Sequence, residues 1–189
     1  MKKQFVSVAL SLSFIVFGAQ AQNHHQKDHE DHAEMSVSHD VPLEFQQQLA
    51  EVYEASLDLK EAFVASEASQ VKDAVPSVRK ALSNVDMALL KDKAHMTWMD
   101  QLKPLDSSLA AIGNSEALDI QRKSFAAFNE ALYQSIKAFG MAGKGAYYQY
   151  CPMANNNQGA YWLSDSEEIR NPYFGNKMPN CGSIKEVIN

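Results

Sequence analysis

Four runs of apolar residues recur at spacings of three and four, and this most narrows what the chain can become. Phe45, Leu49, Val52, Leu59 and Phe63, with Ser56, form the first stripe. Val75, Val78, Leu82, Val85 and Leu89 form the second, and Trp98, Leu102, Leu105, Leu109 and Ile112 the third. Leu118, Phe125, Phe128, Leu132, Ile136 and Phe139 form the fourth. Such spacing places each set on one face of a helix. Pro42 suits the first turn of the first helix. A polar break, Ser66 to Lys72, follows, and Pro76 inside the second stripe places that helix start near Asp73. Pro104 predicts a kink or split in the third helix. Gly113-Asn114 ends it, Ser115-Glu116 opens the fourth, and Gly140, Gly143 and Gly145 close that one.

Four amphipathic helices with short links predict a mainly α fold, an antiparallel four-helix bundle over residues 41–145. Neither Cys-x-x-Cys-His nor Glu-x-x-His occurs in the helices, which argues against covalent haem and di-iron centres.

After Gly145 the periodicity changes. YYQYCPMANNNQGAYWLS, from Tyr147 to Ser164, reads as two extended segments around an Asn-rich loop. Ser164 with Glu167 resembles a capping box opening a helical turn to Arg170. Asn171-Pro172 then breaks it. Residues 146–189 are thus expected to form a small Cys/Met- and aromatic-rich module, with Tyr173 to Asn189 folded back on the bundle. Residues 41–189 make one domain.

The chain's two cysteines lie in this module, each near a methionine: Cys151 with Met153, Cys181 with Met178. Sulfur ligands of this kind select Cu(I) or Ag(I) over harder ions. Two cysteines in an exported chain are equally a disulfide, and unpaired thiols are the third possibility. One histidine falls in the helical body. His95, Trp98 and Met99 share a helix face with Met96 beside them, either a core boundary or a second soft-metal site.

Residues 1–21 read as a signal peptide. Lys2 and Lys3 precede an apolar run, and Ala19-Gln20-Ala21 is a small-x-small cleavage site. The expected location is therefore periplasmic or secreted, with cleavage near Ala21. Removing Lys2 and Lys3 takes the formal net charge from −6 to −8. That charge disfavours nucleic acid and anionic membrane surfaces as partners.

Residues 22–40 differ in composition from the rest. His24, His25, His29, His32 and His39 alternate with carboxylates and there is little to bury, so a disordered tail is expected. Histidine-rich tracts suit Cu(II) or Zn(II).

The stretch from Tyr147 to Gly182 resembles the signature of a bacterial envelope domain of unknown function. That domain also occurs fused to periplasmic adaptor subunits of copper/silver efflux pumps. The resemblance spans roughly Phe45 to Ile188. It rests on Cys151-Pro152-Met153, Trp162-Leu163-Ser164, Asn171-Pro172-Tyr173-Phe174-Gly175 and Met178 with Cys181-Gly182, and His95 and Trp98 match its helical part. It implies heavy-metal handling in the envelope, with an efflux adaptor or another envelope protein as partner.

Two functions follow as expectations. The first is a copper or silver buffer or chaperone. The second is a non-metal interaction module, clamped by Cys151–Cys181, that presents Tyr147, Tyr148, Tyr150, Tyr161, Trp162, Tyr173 and Phe174 to a transport or sensing complex. No nucleophile–base motif, phosphate-binding glycine loop or zinc-hydrolase motif occurs, so the expectation is a binding protein and not an enzyme.

Overall fold

The computed structural model describes residues 41–189. The expected signal peptide and the histidine-rich tail, with His24, His25, His29, His32 and His39, lie outside the described residues. Four long helices come first: α1 (Leu43–Ala65), α2 (Ala68–Ser83), α3 (Asp92–Asn114) and α4 (Leu118–Phe139). A small antiparallel sheet follows, from β1 (Ala146–Cys151), β2 (Ala160–Ser164) and β3 (Ser183–Ile188), in the order β2-β1-β3. Each helix packs on the next, α1 also touches α4, and β2 packs on α4.

The apolar stripes are the core. Phe45, Leu49, Val52, Leu59 and Phe63 of α1 are fully buried, as are Leu105, Leu109 and Ile112 of α3. Trp98 stands edge-on to Phe45 with centroids 5.2 Å apart and lies 6.0 Å from Phe139. This aromatic knot joins the start of α1 to the end of α4. Phe63 meets Phe125 at 4.4 Å toward the other end. Gly140 ends α4 with φ 78.

Both internal prolines sit inside continuous helices. α2 starts at Ala68, not near Asp73, and runs through Pro76; only Ser66 and Glu67 separate it from α1. α3 runs unsplit through Pro104. The carbonyls a proline leaves without a helical donor belong to Lys72 and Asp100, on partly and fully exposed residues where water can serve them. The fourth helix opens at Leu118, later than Ser115-Glu116, because the Ser115 hydroxyl accepts the Ala117 N–H in a tight turn before it.

β1 and β2 form the expected hairpin, with Tyr148 opposite Leu163 and Cys151 opposite Ala160. Their connection carries Asn155, Asn156 and Asn157 at φ 50, 57 and 64. Asparagine is among the few residues that tolerate this left-handed region. Gly159 closes the loop at φ 81, where an added Cβ would fall 2.0 Å from the Tyr150 hydroxyl.

One expectation about the module is corrected. No helical turn follows Ser164. Its hydroxyl accepts the Ser166 N–H at 3.2 Å and faces the Lys60 ammonium at 3.3 Å, so it caps a bend. Within the returning segment, Ser183–Ile188 pairs with β1 as an edge strand. Glu186 fastens that strand to α4, accepting from Lys137 Nζ and Tyr133 Oη at 2.6 Å each. Charged residues on an edge strand also discourage further pairing.

Candidate functional site

The module is docked on the helices by buried polar side chains. Asn129 of α4 is buried; it donates Nδ2 to the Phe125 carbonyl and accepts the Leu163 N–H at 3.0 Å, fixing β2. Arg122, also on α4, donates Nε to the Pro172 carbonyl at 2.9 Å. Its Nη2 reaches the Ser66 hydroxyl and the Phe63 carbonyl. Burial lowers its pKa. Lys60, only 3% exposed, reaches Ser164, Glu61 and Asp165.

Asn171 organises the second half of the signature. It is fully buried, and its Oδ1 accepts the N–H groups of Tyr173 and Phe174 at 2.8 and 3.1 Å. Its Nδ2 donates to the Cys181 carbonyl at 2.6 Å, and its own N–H donates to the Pro179 carbonyl at 2.9 Å. One side chain thus folds the Pro172–Cys181 loop back on itself. Tyr173 seals it, buried between Phe125 and Trp162 with its hydroxyl donating to the Tyr161 carbonyl at 2.5 Å.

That loop delivers Cys181 to Cys151. The two Sγ atoms are 2.7 Å apart. Cys151 is fully buried at the end of β1, and Cys181 is half-buried. The neighbouring Cys151 thiol raises the Cys181 pKa, and burial adds to the rise. The Met153 backbone N–H acts the other way and lowers it. Gly182 follows at φ 157, packed against Trp162 and Ile169. The pair is therefore held from both sides and reached by solvent through Cys181.

The methionines of the pattern stand differently. Met153 is 47% exposed and faces a cleft of 560 Å³ that it shares with Ile120, Arg122, Lys123, Tyr173 and Phe174. Met178 is half-buried, and its carbonyl accepts the Cys181 N–H.

His95 does not join this group. Trp98, one turn on from it, packs against Phe139 at the end of α4, whereas Met153 lies beside Asp119–Lys123 at its start. A helix of 22 residues spans roughly 33 Å. Met96 is exposed, and Met99 borders a separate cleft between α2 and α3 with Met87. Trp98 itself is core. Among the described residues no three of His, Cys, Asp or Glu gather in a way that could hold a metal ion.

The aromatics of the module are mostly consumed within it. Tyr148, Trp162 and Tyr173 are buried, while Tyr147, Tyr150, Tyr161 and Phe174 are half-buried. Tyr148 stacks on Tyr133 of α4 at 3.8 Å and on Tyr161 at 4.7 Å. Burial, together with neighbouring Glu130, Glu186 or Cys151, pushes the pKa values of Tyr148, Tyr133 and Tyr173 well above the usual phenol range. The buried Trp162 Nε1 has no hydrogen-bond partner among the described residues.

Sequence reasoning missed Asn129, Lys60 and Arg122, and the role of the Asn171 side chain. Asn171 was readable as the start of a break, and nothing local marked its side chain as the organiser of the loop.

Residues 52–144 match the model of a family described as a protein of unknown function (DUF3347). The matched stretch runs from the middle of α1 to the end of the helical part and stops before β1, so the cysteine module lies outside it. No curated protein and no solved structure matches the chain. Among the described residues no helix is long and apolar enough to cross a membrane.

Proposed function

We propose that this chain is a soft-metal binding protein of the bacterial envelope, a buffer or chaperone for Cu(I) or Ag(I) rather than an enzyme. Its four helices serve as an antiparallel bundle that carries the module. The observation that carries the reading is the meeting of Cys151 and Cys181, 2.7 Å apart, with one sulfur open to solvent. Two thiolates suit a soft monovalent ion. They fall short of a structural zinc site, which takes four ligands. Met178 and Met153, each within three residues of a cysteine, are the thioethers nearest in sequence. The histidine-rich tail would collect Cu(II) or Zn(II) separately, and the ion's recipient would be an efflux adaptor or another envelope protein.

A second reading is favoured by the complete burial of Cys151 and by the absence, among the described residues, of a third His, Cys, Asp or Glu ligand. In that reading the cysteines form a disulfide, losing two protons and two electrons to an envelope thiol oxidant. Closing a loop across 30 residues would stabilise the module by roughly 3–4 kcal/mol. The module would then dock on an envelope transport or sensing complex. Its aromatics are largely spent on its own packing, which leaves little of them for a partner.

A free-thiol count on protein taken from the cell envelope, followed by Cu(I) titration with and without reductant, separates the two. Two free thiols with one tightly bound Cu(I) support the carrier. Two blocked thiols, with no uptake even after reduction, sink it in favour of the clamp.

A further inference from the structure

The two cysteines meet, but the fold treats them unequally. Cys151 is fully buried at the end of β1. It lies on the sheet face that also carries Gln149 and its cross-strand partner Trp162, both fully buried. No outside molecule reaches its sulfur while the module is folded. Cys181 is half-buried, and the chain around it is open: Pro179, Asn180, Ser183 and Ile184 are exposed. The main chain at Cys181 is nevertheless fixed. Its N–H donates to the Met178 carbonyl at 3.2 Å, and its carbonyl accepts from Asn171 at 2.6 Å. At Gly182 an added Cβ would fall 2.8 Å from the Trp162 ring, so the close approach of this loop needs a residue without a side chain. Cys181 is thus an open sulfur on a held backbone.

Thiol–disulfide exchange needs this division. One thiolate attacks an external disulfide, and a second thiol resolves the mixed disulfide that results. The attacking sulfur must be accessible, and the resolving one must lie within reach of it. A bridge that only braces a fold needs no accessible sulfur, and exposed bridges are the labile ones. The Cys151 thiol and burial raise the Cys181 pKa. Less of Cys181 is then thiolate at neutral pH, but a thiolate of higher pKa is the stronger nucleophile.

We propose that the pair is a thiol–disulfide exchange centre of fixed polarity, with Cys181 the exchanging sulfur and Cys151 the resolving one. The co-reactant is an external disulfide, RS–SR. Cys181 gives up its proton and attacks, a bond to one R-bearing sulfur forms, the RS–SR bond breaks and the first RSH leaves. Cys151 gives up its proton and attacks the Cys181 sulfur, and the second RSH leaves as the Cys151–Cys181 bond forms. The protein loses two protons and two electrons, and the external disulfide gains both. In reverse, an external thiol attacks Cys181 and expels Cys151. The inference rests on the clamp reading, in which the pair oxidises, and makes that bridge one that opens again. An ion held by the two thiolates is released when it closes.

The test uses the reduced full-length chain. A short pulse of iodoacetamide, read by peptide mass spectrometry, is expected to label Cys181 before Cys151. With oxidised glutathione, Cys151→Ala is expected to accumulate a glutathione adduct on Cys181. Cys181→Ala is expected to form none until urea unfolds it. The parent is expected to end as an intramolecular disulfide that excess reduced glutathione reopens. Circular dichroism verifies that each variant folds, and the alkylation pulse on the parent decides the polarity without them. Labelling of Cys151 first or equally, or an adduct on Cys151 in the folded Cys181→Ala chain, overturns the proposal. A parent bridge that forms but does not reopen overturns it and leaves the clamp reading standing. A parent that never forms the bridge overturns both.

Discussion

Asn171 donates its side-chain amide to the carbonyl of Cys181 at 2.6 Å while its carbonyl oxygen gathers the N–H groups of Tyr173 and Phe174. The position of the second cysteine is therefore set by an asparagine ten residues earlier, inside the same loop. Asn171→Ala would leave these backbone groups without their partner. Each such buried loss costs about 1–3 kcal/mol. Urea denaturation is expected to show a loss of about 3 kcal/mol, with slower closure of the cysteine pair by thiol trapping. An unchanged midpoint would mean the loop is held by other contacts.

Gly159 has no room for a side chain. Its φ is 81, and a Cβ would meet the Tyr150 ring and hydroxyl. Gly159→Ala is expected to lower stability by about 1–3 kcal/mol. Thermal denaturation checks this, and a melting temperature within error of the parent would contradict the hairpin geometry.

The tyrosines set an alkaline limit. Burial holds Tyr133, Tyr148 and Tyr173 protonated in the folded chain above the usual phenol range, near 10. The folded state thus binds these protons more tightly than the unfolded state. Their contribution is complete below about pH 10 and is lost as pH rises beyond it. Glu186 behaves oppositely. Burial acts to raise its pKa, but bonds from Lys137 and Tyr133 outweigh that and lower it. Its contribution is present above the ordinary carboxylate range and fades as pH falls through the folded-state value. Ultraviolet titration should show these tyrosines ionising only as the fold is lost, and Tyr148→Phe should reduce the alkaline loss of stability.

His95 stands near one end of α4 and the cysteines near the other. His95→Ala is expected to leave the stoichiometry and affinity of Cu(I) at the cysteine pair unchanged, as read by chelator competition. A tenfold weakening would mean that the helices bring the two regions together in solution.

The apolar spacing made the helices legible, because burial of Phe45, Leu49 and Phe63, or of Phe125, Phe128 and Leu132, needs only the local period and a core to face. Pro76 misled as to where α2 starts because the proline penalty is judged locally, while packing holds α2 continuous through it, and α3 likewise runs unsplit through Pro104. β3 was invisible: Ser-Ile-Lys-Glu-Val-Ile is short and charged, and its place is decided by β1 and by Glu186 meeting Lys137. The pairing of Cys151 with Cys181 was legible as a need for closure. The means of closure was not, since Asn171, Asn129 and Arg122 act on partners that only the fold brings near. The same holds for His95, whose spacing to Met99 says nothing of its distance from β1.

The central claim is that Cys151 and Cys181 together hold a soft metal ion. X-ray absorption at the copper edge, on reduced full-length protein with the five tail histidines replaced by alanine and one equivalent of Cu(I) added, reads the ligands directly. The account predicts a sulfur-only shell that is lost in Cys181→Ser. A nitrogen or oxygen shell, or copper that passes freely to a weak chelator, would contradict it.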